Sequence, residues 1–309
     1  MELRQVETFR AVAAELSFSR AAAKLGYVQS SVSAQVSGLE QEFGVPLFDR
    51  LGRRIALTDA GRVMLGYSEK LLGLAEEAKD AVVDAGVGSG EITGSLTVSA
   101  PETLLTYRLP KLLALFHAGY PKVRLSLRPS AIGKLVGAAR REVEEGKVDV
   151  AFVLDEPVLA PGLSVEPLVQ EAISVIAPAS HVLASSTLVV PRDLRGETVL
   201  LPEAPESGCA YRGQFERQLS GAGVVPSETI EFTSIEAVKQ CVAAGMGVSV
   251  LPSVVVESEL KGERLSALRW GEPFGVATQM AWHEERWRSP ALETFLETAR
   301  KVFAPTNVS

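Results

Sequence analysis

The feature that most constrains this chain is a change of hydrophobic period partway along it. Up to about residue 85 the apolar residues recur at three- and four-residue steps, the spacing of one helix face; beyond residue 94 they gather into short β-rich runs separated by helical stretches. A chain of 309 residues is long enough for two or three units, each with its own core. The change of period therefore separates a small helical N-terminal domain, residues 1–57, from a larger α/β domain, residues 94–309. Between them lie a long helix over 58–85 and a hinge over 86–93 that contains Gly86, Gly88, Ser89 and Gly90.

Within the first 57 residues, Leu3, Val6, Phe9, Val12, Ala13 and Leu16 give one apolar stripe and predict a first helix. A second helix is predicted over 20–25, capped by Ser19, with Ala21, Ala22 and Leu25 facing inward and Gly26 ending it. A third is predicted from about residue 30 to Phe43, with Val32, Val36, Leu39 and Phe43 as its buried row and Gly44 as its stop. Helix, short Gly-containing turn, helix is the pattern of a helix-turn-helix. Two short strands, 45–48 and 55–57, then flank a wing that carries Arg50, Arg53 and Arg54. Three arginines in an isolated loop would be solvated decoration; beside a helix-turn-helix they point to DNA.

From Thr58, a predicted N-cap followed by Asp59, the positions Ala60, Met64, Tyr67, Leu71, Leu74, Ala78, Ala81 and Ala85 alternate steps of four and three, the a/d spacing of a coiled coil. A seam without a partner in its own chain predicts self-association, through Met64, Tyr67, Leu71, Leu74 and Ala78; packing on its own domain is the alternative. Behind the hinge, strands are predicted at 96–99, 123–127 and 148–153 with helices near 103–117 and 131–145. A second set follows, with strands near 171–177, 198–201, 228–232 and 248–251 and helices near 208–220 and 234–244. A last strand near 275–282 and a helix over 290–303 should return to the first set. This predicts subdomain I over about 94–163 and 271–303, subdomain II over about 164–270, and a cleft between them. No internal sequence repeat is seen.

Composition closes off other classes. The net charge of −7 argues against adhesion of the whole surface to nucleic acid, so any DNA contact must be local. The two cysteines, Cys209 and Cys241, support neither a structural zinc nor a disulfide framework. The charged N-terminus is not a secretory signal and no stretch reads as a membrane span, which predicts a cytoplasmic protein without membrane partners. The three histidines have no ligand spacing, no Gly-rich phosphate loop or GxSxG occurs, and no nucleophile stands beside a base. Neither an enzyme nor a cofactor is expected, and an uptake protein would need an export signal.

Residues 17–61, SFSRAAAKLGYVQSSVSAQVSGLEQEFGVPLFDRLGRRIALTDAG, resemble the DNA-binding signature of LysR-type transcription regulators, and residues 233–252, TSIEAVKQCVAAGMGVSVLP, match that family's effector-domain pattern. The resemblance implies an α/β chain with an all-α winged helix-turn-helix, a dimerising linker helix and a two-subdomain α/β fold similar to periplasmic binding proteins. It further implies assembly as dimers or tetramers, with double-stranded DNA, a small-molecule effector and RNA polymerase as partners. Bases would be read from the start of the third helix by Gln29, Ser30 and Ser33, within a surface that includes Ser19, Arg20, Ser31 and Gln35. The chemistry fits, since an amide can pair two-pronged with adenine and hydroxyls can bond base edge or phosphate. Two positions depart from the family pattern: Ser30 stands where proline is frequent and Ala34 where arginine is frequent.

For the cleft, the resemblance implies effector contacts at Pro101, Glu102 and Thr103, at Ser130, at Ser207, Gly208 and Cys209, and at Thr233 and Ser234. Helix N-termini with hydroxyls suit a carboxylate or phosphate, so an anionic metabolite is expected; singly, Ser130, Ser207 and Thr233 could be no more than caps. Cys209 also resembles in position the reactive cysteine of peroxide-sensing members, with Cys241 as its one available partner. The readings left open are an effector-controlled regulator, a ligand-independent repressor with a vestigial cleft, and a thiol-based sensor.

Overall fold

The computed structural model describes residues 1–51, 54–86, 91–130, 137–157, 159–202 and 208–304. The chain separates into two compact units, one made of the N-terminal residues through the long helix together with Glu144–Lys147, the other of the remainder from Glu91.

The N-terminal unit opens with α1 (Leu3–Glu15), α2 (Phe18–Leu25) and α3 (Gln29–Phe43). Val6, Phe9, Val12 and Ala13 of α1 are buried, while the ends of the predicted stripe are exposed, Leu3 on the first residue of the helix and Leu16 beyond its end, at the C-cap. The cap of α2 is Ser17, whose hydroxyl accepts the Arg20 N–H at 3.3 Å, in place of the expected Ser19. Gly26 ends that helix in the left-handed region (φ 70°), and the tight turn it makes leads into α3. Phe43, expected inside, lies exposed on the last turn of α3. The hairpin pairs β1 (Phe48–Leu51) with β2 (Arg54–Leu57), so the first strand starts three residues later than predicted. The cause is local. Pro46 has no N–H to give a ladder, and the N–H groups of Leu47 and Phe48 go to the Glu40 carboxylate at 2.8 and 3.3 Å. Phe48 then packs on Phe9 and Phe18 with ring centroids 5.3 and 5.8 Å apart.

The long helix α4 (Asp59–Gly86) has 28 residues and spans about 42 Å. Thr58 caps it, accepting the Gly61 N–H at 2.9 Å and donating to the Pro46 carbonyl at 2.8 Å. The predicted seam divides. Met64 is buried in the core of this unit, with Ala60 and Leu71 packed against it, whereas Tyr67, Leu74 and Ala78 are exposed. The N-terminal part of the heptad pattern is therefore spent within its own chain, which corrects the reading of that part as unpartnered.

The second unit holds two five-stranded sheets. The first contains β3 (Gly94–Ala100), β4 (Val123–Pro129), β5 (Val150–Asp155), β6 (Leu163–Gln170) and, from the end of the chain, β12 (Ala277–His283), in the order β4-β3-β5-β12-β6. The second contains β7 (Ile173–Pro178), β8 (Thr198–Pro202), β9 (Glu228–Phe232), β10 (Val248–Pro252) and β11 (Leu265–Ala267), in the order β9-β8-β10-β7-β11. Each is a parallel trio followed by one antiparallel strand, β12 or β7, and then by a fifth strand antiparallel to that one, the same plan twice with no repeat in sequence. Because β6 pairs along its length with β12, it belongs to the first sheet, which corrects the predicted boundary at 163/164 to the segment between β6 and β7.

The helices α5 (Glu102–Tyr107), α6 (Pro110–Gly119) and α7 (Ala138–Glu144) follow the strands of the first sheet, and α11 (Pro290–Phe303) returns to it, seating Phe295 against Phe116 and Phe152. The second sheet is covered by α8 (Ala210–Gly221) on the face of Val175, Val199 and Val250, and by α9 (Ile235–Ala243) and α10 (Ser253–Lys261) on the face of Ile176, Leu200 and Leu251. Among the described residues, no helix is long and apolar enough to cross a membrane.

Candidate DNA-reading surface and effector cleft

The first turn of α3 presents Gln29 and Ser30 to solvent. Val28, at the N-cap position, supplies no side-chain acceptor, and its carbonyl accepts the Ser31 N–H at 3.0 Å, so within that turn it is the Gln29 and Ser30 amides that face outward without a cap. Gln29 Nε2 lies 3.4 Å from Ser33 Oγ one turn on; Ser31 and Ser33 are half-buried. The buried Thr8 hydroxyl of α1 donates to Gln35 Oε1 at 2.6 Å, which ties Gln35 to the α1–α3 packing. Ser19 is exposed on α2, and Arg20 donates to the Glu15 carbonyl and pairs with the Glu15 carboxylate at 3.6 Å. Arg50 lies on β1 and Arg54 on β2; Arg53 falls outside the described residues.

In the second unit the expected effector positions sit at the carboxyl ends of parallel strands, where open α/β sheets bind ligands. Pro101 occupies the N-cap position of α5, at the end of β3, with Glu102 in its first turn and the Thr103 side chain buried behind it. Ser130, at the end of β4, is brought alongside by its N–H bond to the Ala100 carbonyl at 2.9 Å. Gly208, in the left-handed region (φ 74°), and Cys209, at the N-cap position, lead into α8 beyond β8; Ser207 falls outside the described residues. Thr233 and Ser234 follow β9 and are exposed, and the Ser234 hydroxyl caps α9 by accepting the Ala237 N–H at 3.3 Å.

The N-termini are not equivalent. The first turn of α5 carries Glu102 and that of α9 carries Glu236, but that of α8 carries no acid. There the buried Arg212 donates to Glu216 at 3.0 Å and Glu231 at 2.6 Å. Burial works to lower its pKa, and the two carboxylates outweigh that and hold it above the usual arginine range.

Two buried charge clusters escaped the sequence reading. Lys239 Nζ lies 2.9 Å from both Glu236 and Glu259, donates to the Val255 carbonyl at 3.2 Å, and stands 5.7 Å from the centre of the Tyr107 ring of α5. Burial opposes its charge, but the two glutamates raise its pKa, and Lys239 in turn holds both glutamates below the usual carboxylate value. Glu171, between β6 and β7, is buried and accepts from Arg108 Nε at 2.9 Å and the Thr278 hydroxyl at 2.6 Å. The available signal was a lysine beside Val238 on an otherwise apolar helix face; nothing in spacing pairs Arg108 with a residue 63 positions away.

Cys209 packs on the α8 face of the second sheet and Cys241 on the α9 face. A disulfide needs Cα atoms roughly 4.4–6.8 Å apart, which groups on opposite faces of an intact sheet cannot meet. Among the described residues no group of three or more His, Cys, Asp or Glu side chains could hold a metal.

Comparison with known proteins agrees with this architecture. Residues 3–62 match the family described as "Bacterial regulatory helix-turn-helix protein, lysR family", and residues 89–304 match "LysR substrate binding domain". The chain is 39% identical to the uncharacterized HTH-type transcriptional regulator YwqM of Bacillus subtilis, covering 98% of this chain and 100% of that protein. A full-length OxyR variant from Pseudomonas aeruginosa superimposes with a TM-score of 0.72 at 24% identity, covering 98% of this chain and 94% of the other. Full-length CbnR complexed with its target DNA gives 0.71 at 23%, covering 98% and 100%. These two likenesses concern the fold. Two family matches that together take in nearly the whole chain, and a relative of this identity over its full length, place the protein in the LysR family of bacterial helix-turn-helix transcription regulators.

Proposed function

We propose that this regulator reads duplex DNA with Gln29, Ser30 and Ser33 at the start of α3, pairs with a second copy through Tyr67, Leu74 and Ala78 of α4, and is switched by a small anionic metabolite. Ser19, Arg20, Ser31 and the wing arginines serve as phosphate contacts, which position the reader without selecting sequence. The observation that carries the effector reading is the acid-free first turn of α8 at the carboxyl end of β8. Glu102 disfavours an anion at the start of α5, and at the start of α9 the Ser234 hydroxyl already takes the Ala237 N–H. The carboxylate or phosphate therefore belongs at Gly208 and Cys209, with Thr103 and Ser130 receiving the rest of the molecule.

A thermal-shift screen of small carboxylates and phosphates on the full chain tests this. Ligand at about a hundred times its dissociation constant stabilises by about 2.7 kcal/mol, and Thr103→Val should reduce the shift. An equal shift in both proteins moves the pocket elsewhere, and a response confined to amines or uncharged compounds overturns the anionic assignment.

A further inference from the structure

The two sheets of the second unit are joined by two crossing segments, between β6 and β7 and between β11 and β12, and the polar ties around these segments differ in kind. One tie is buried. The Glu171 carboxylate, whose side chain is 1% exposed, holds Arg108 of the first sheet's layer and Thr278 of β12, and the Glu171 N–H donates to the Val276 carbonyl at 2.8 Å, locking the crossing segments side by side. The other tie is open to solvent and runs through α8. Glu156, just beyond β5, accepts from Gln214 Nε2 at 3.1 Å and from Arg217 Nη2 at 2.7 Å, the Glu156 and Arg217 side chains being 47% and 64% exposed.

The helix also grips the segment returning to β12. Gln214 Oε1 accepts the Gly275 N–H at 2.9 Å, Gln218 Nε2 donates to the Pro273 carbonyl at 3.0 Å, and Gln218 Oε1 accepts Trp270 Nε1–H at 2.9 Å. A single carboxamide, that of Gln214, thus bridges the end of the first sheet and the crossing segment at once. Beside it, Gln279 Nε2 of β12 donates to the Asp155 and Glu156 carbonyls at 3.2 and 3.1 Å, and Leu154 packs against the cores of both sheets.

Breaking a buried ion pair leaves an unsolvated charge behind, whereas an exposed pair exchanges its partner for water at little cost. Relative rotation of the sheets will therefore spare the Glu171 cluster and give way at Glu156. We propose that α8 is a latch that sets the angle between the two sheets, with Glu156 as its catch and the Arg108–Glu171–Thr278 cluster as its pivot. Since α8 begins at Cys209, at the carboxyl end of β8, anything that shifts its first turn acts on the same rod that carries Gln214 and Arg217 one and two turns later. The latch stands whatever molecule occupies the cleft.

The experiment uses the full chain without any ligand. Hydrogen exchange is compared in wild type, in Arg217→Ala, which removes only an exposed side chain, and in Arg288→Ala, which removes an exposed partner of Glu293 away from the latch. The latch predicts faster exchange across residues 270–276 and at the end of β5 in Arg217→Ala, and the same loss of protection in wild type at high salt, with Arg288→Ala unchanged at low salt. Unchanged exchange in Arg217→Ala overturns the proposal. In a second measurement, spin labels at Lys111→Cys and Arg192→Cys, in a Cys209→Ser, Cys241→Ser background diluted with unlabelled chain, report the distance between the sheets. Glu156→Gln should shift or broaden that distribution, and a distribution superimposable on the parent's overturns it.

Discussion

Gly61 lies in the first turn of α4, and replacing it with alanine sets two effects of opposite sign against each other. In an isolated helix the change gains up to about 1 kcal/mol, because alanine loses less backbone freedom on folding. In this protein an added Cβ would stand 2.0 Å from the Leu47 carbonyl oxygen and 2.9 Å from Leu57 Cδ2. Both neighbours are fixed, since the Leu47 carbonyl accepts the Thr58 N–H at 3.1 Å and Leu57 closes the β1–β2 ladder opposite Phe48. Relief requires α4 to retreat by about 1 Å from a close-packed neighbour, at the upper end of the roughly 1–3 kcal/mol that overpacking costs. The net expectation is a loss of about 2 kcal/mol, which for a domain of this size lowers melting by about 8–16 °C. A fragment of residues 1–90 followed by circular dichroism reads this directly, with the wild-type fragment as reference, and DNA affinity of the full chain should fall with it. A Gly61→Ala fragment that melts at or above wild type would refute the close-approach argument and leave helix propensity in control.

Gln29→Ala should weaken binding to a duplex selected from random sequence by about 1–3 kcal/mol while leaving random DNA unaffected, measured by fluorescence anisotropy at fixed salt; equal losses on both would remove Gln29 from the base readers. Leu74→Asp should raise the dissociation constant of self-association in ultracentrifugation by about 30- to 1000-fold, from roughly 1–2 kcal/mol of burial lost on each of two chains. No change would place the main interface off α4. Lys239→Met should destabilise the second unit by about 3–5 kcal/mol by stranding Glu259, and it should flatten the pH dependence of stability. The glutamates, with folded pKa values below the unfolded one, contribute stability that is present above about pH 4.5 and lost as pH falls; Lys239, raised, contributes stability lost only as pH climbs past about 10.5. A variant with the same acid-side slope as wild type would show that the cluster does not set it.

What could be read from the sequence was what short-range pattern encodes. The periodic stripes of α1 and α3, the ends at Gly26 and Gly44, and α11 over 290–303 all follow from local spacing and capping. The misplacements came where a distant group decided. Ser17 and Ser19 are equally good caps in isolation, and the fold selects the first. Strand β1 starts late because a carboxylate seven residues upstream of Leu47 takes its N–H. Residues 163–170 carry no predicted strand and fall with the second set only through the boundary at 163/164; the pairing of β6 with β12, over a hundred residues on, is what assigns them to the first sheet. The heptad pattern of α4 is real, but spacing cannot say which positions face the own domain, so Met64 and Tyr67 look equivalent until Met64 is found in the same buried cluster as Phe9 and Leu39 and Tyr67 outside it. In the candidate site, the strand-end positions were visible as motifs, while the ties among Arg108, Glu171 and Thr278 were invisible because sequence separation carries no information about pairing.

The electrostatics of the reader bear on why such a protein would need both self-association and a switch. Arg20 is engaged by Glu15, Arg4 stands 4.9 Å from the centre of the Tyr27 ring, and Lys24 also pairs with Glu15 at 3.0 Å, so several cations of the first helices are already shared with protein groups. No arginine stands at Ala34 to add a guanine contact. If these shared cations neutralise few phosphates per reader, few counterions are released, and a single domain is expected to bind weakly with a shallow dependence on salt. Two linked readers convert the second contact into an intramolecular one, which multiplies affinity by about 10²–10⁴ only when both sites are within reach. Weak readers thus make occupancy depend on geometry more than on contact strength. An effector then has to supply only the differential binding energy that selects one arrangement over another, with no need to alter α3 itself.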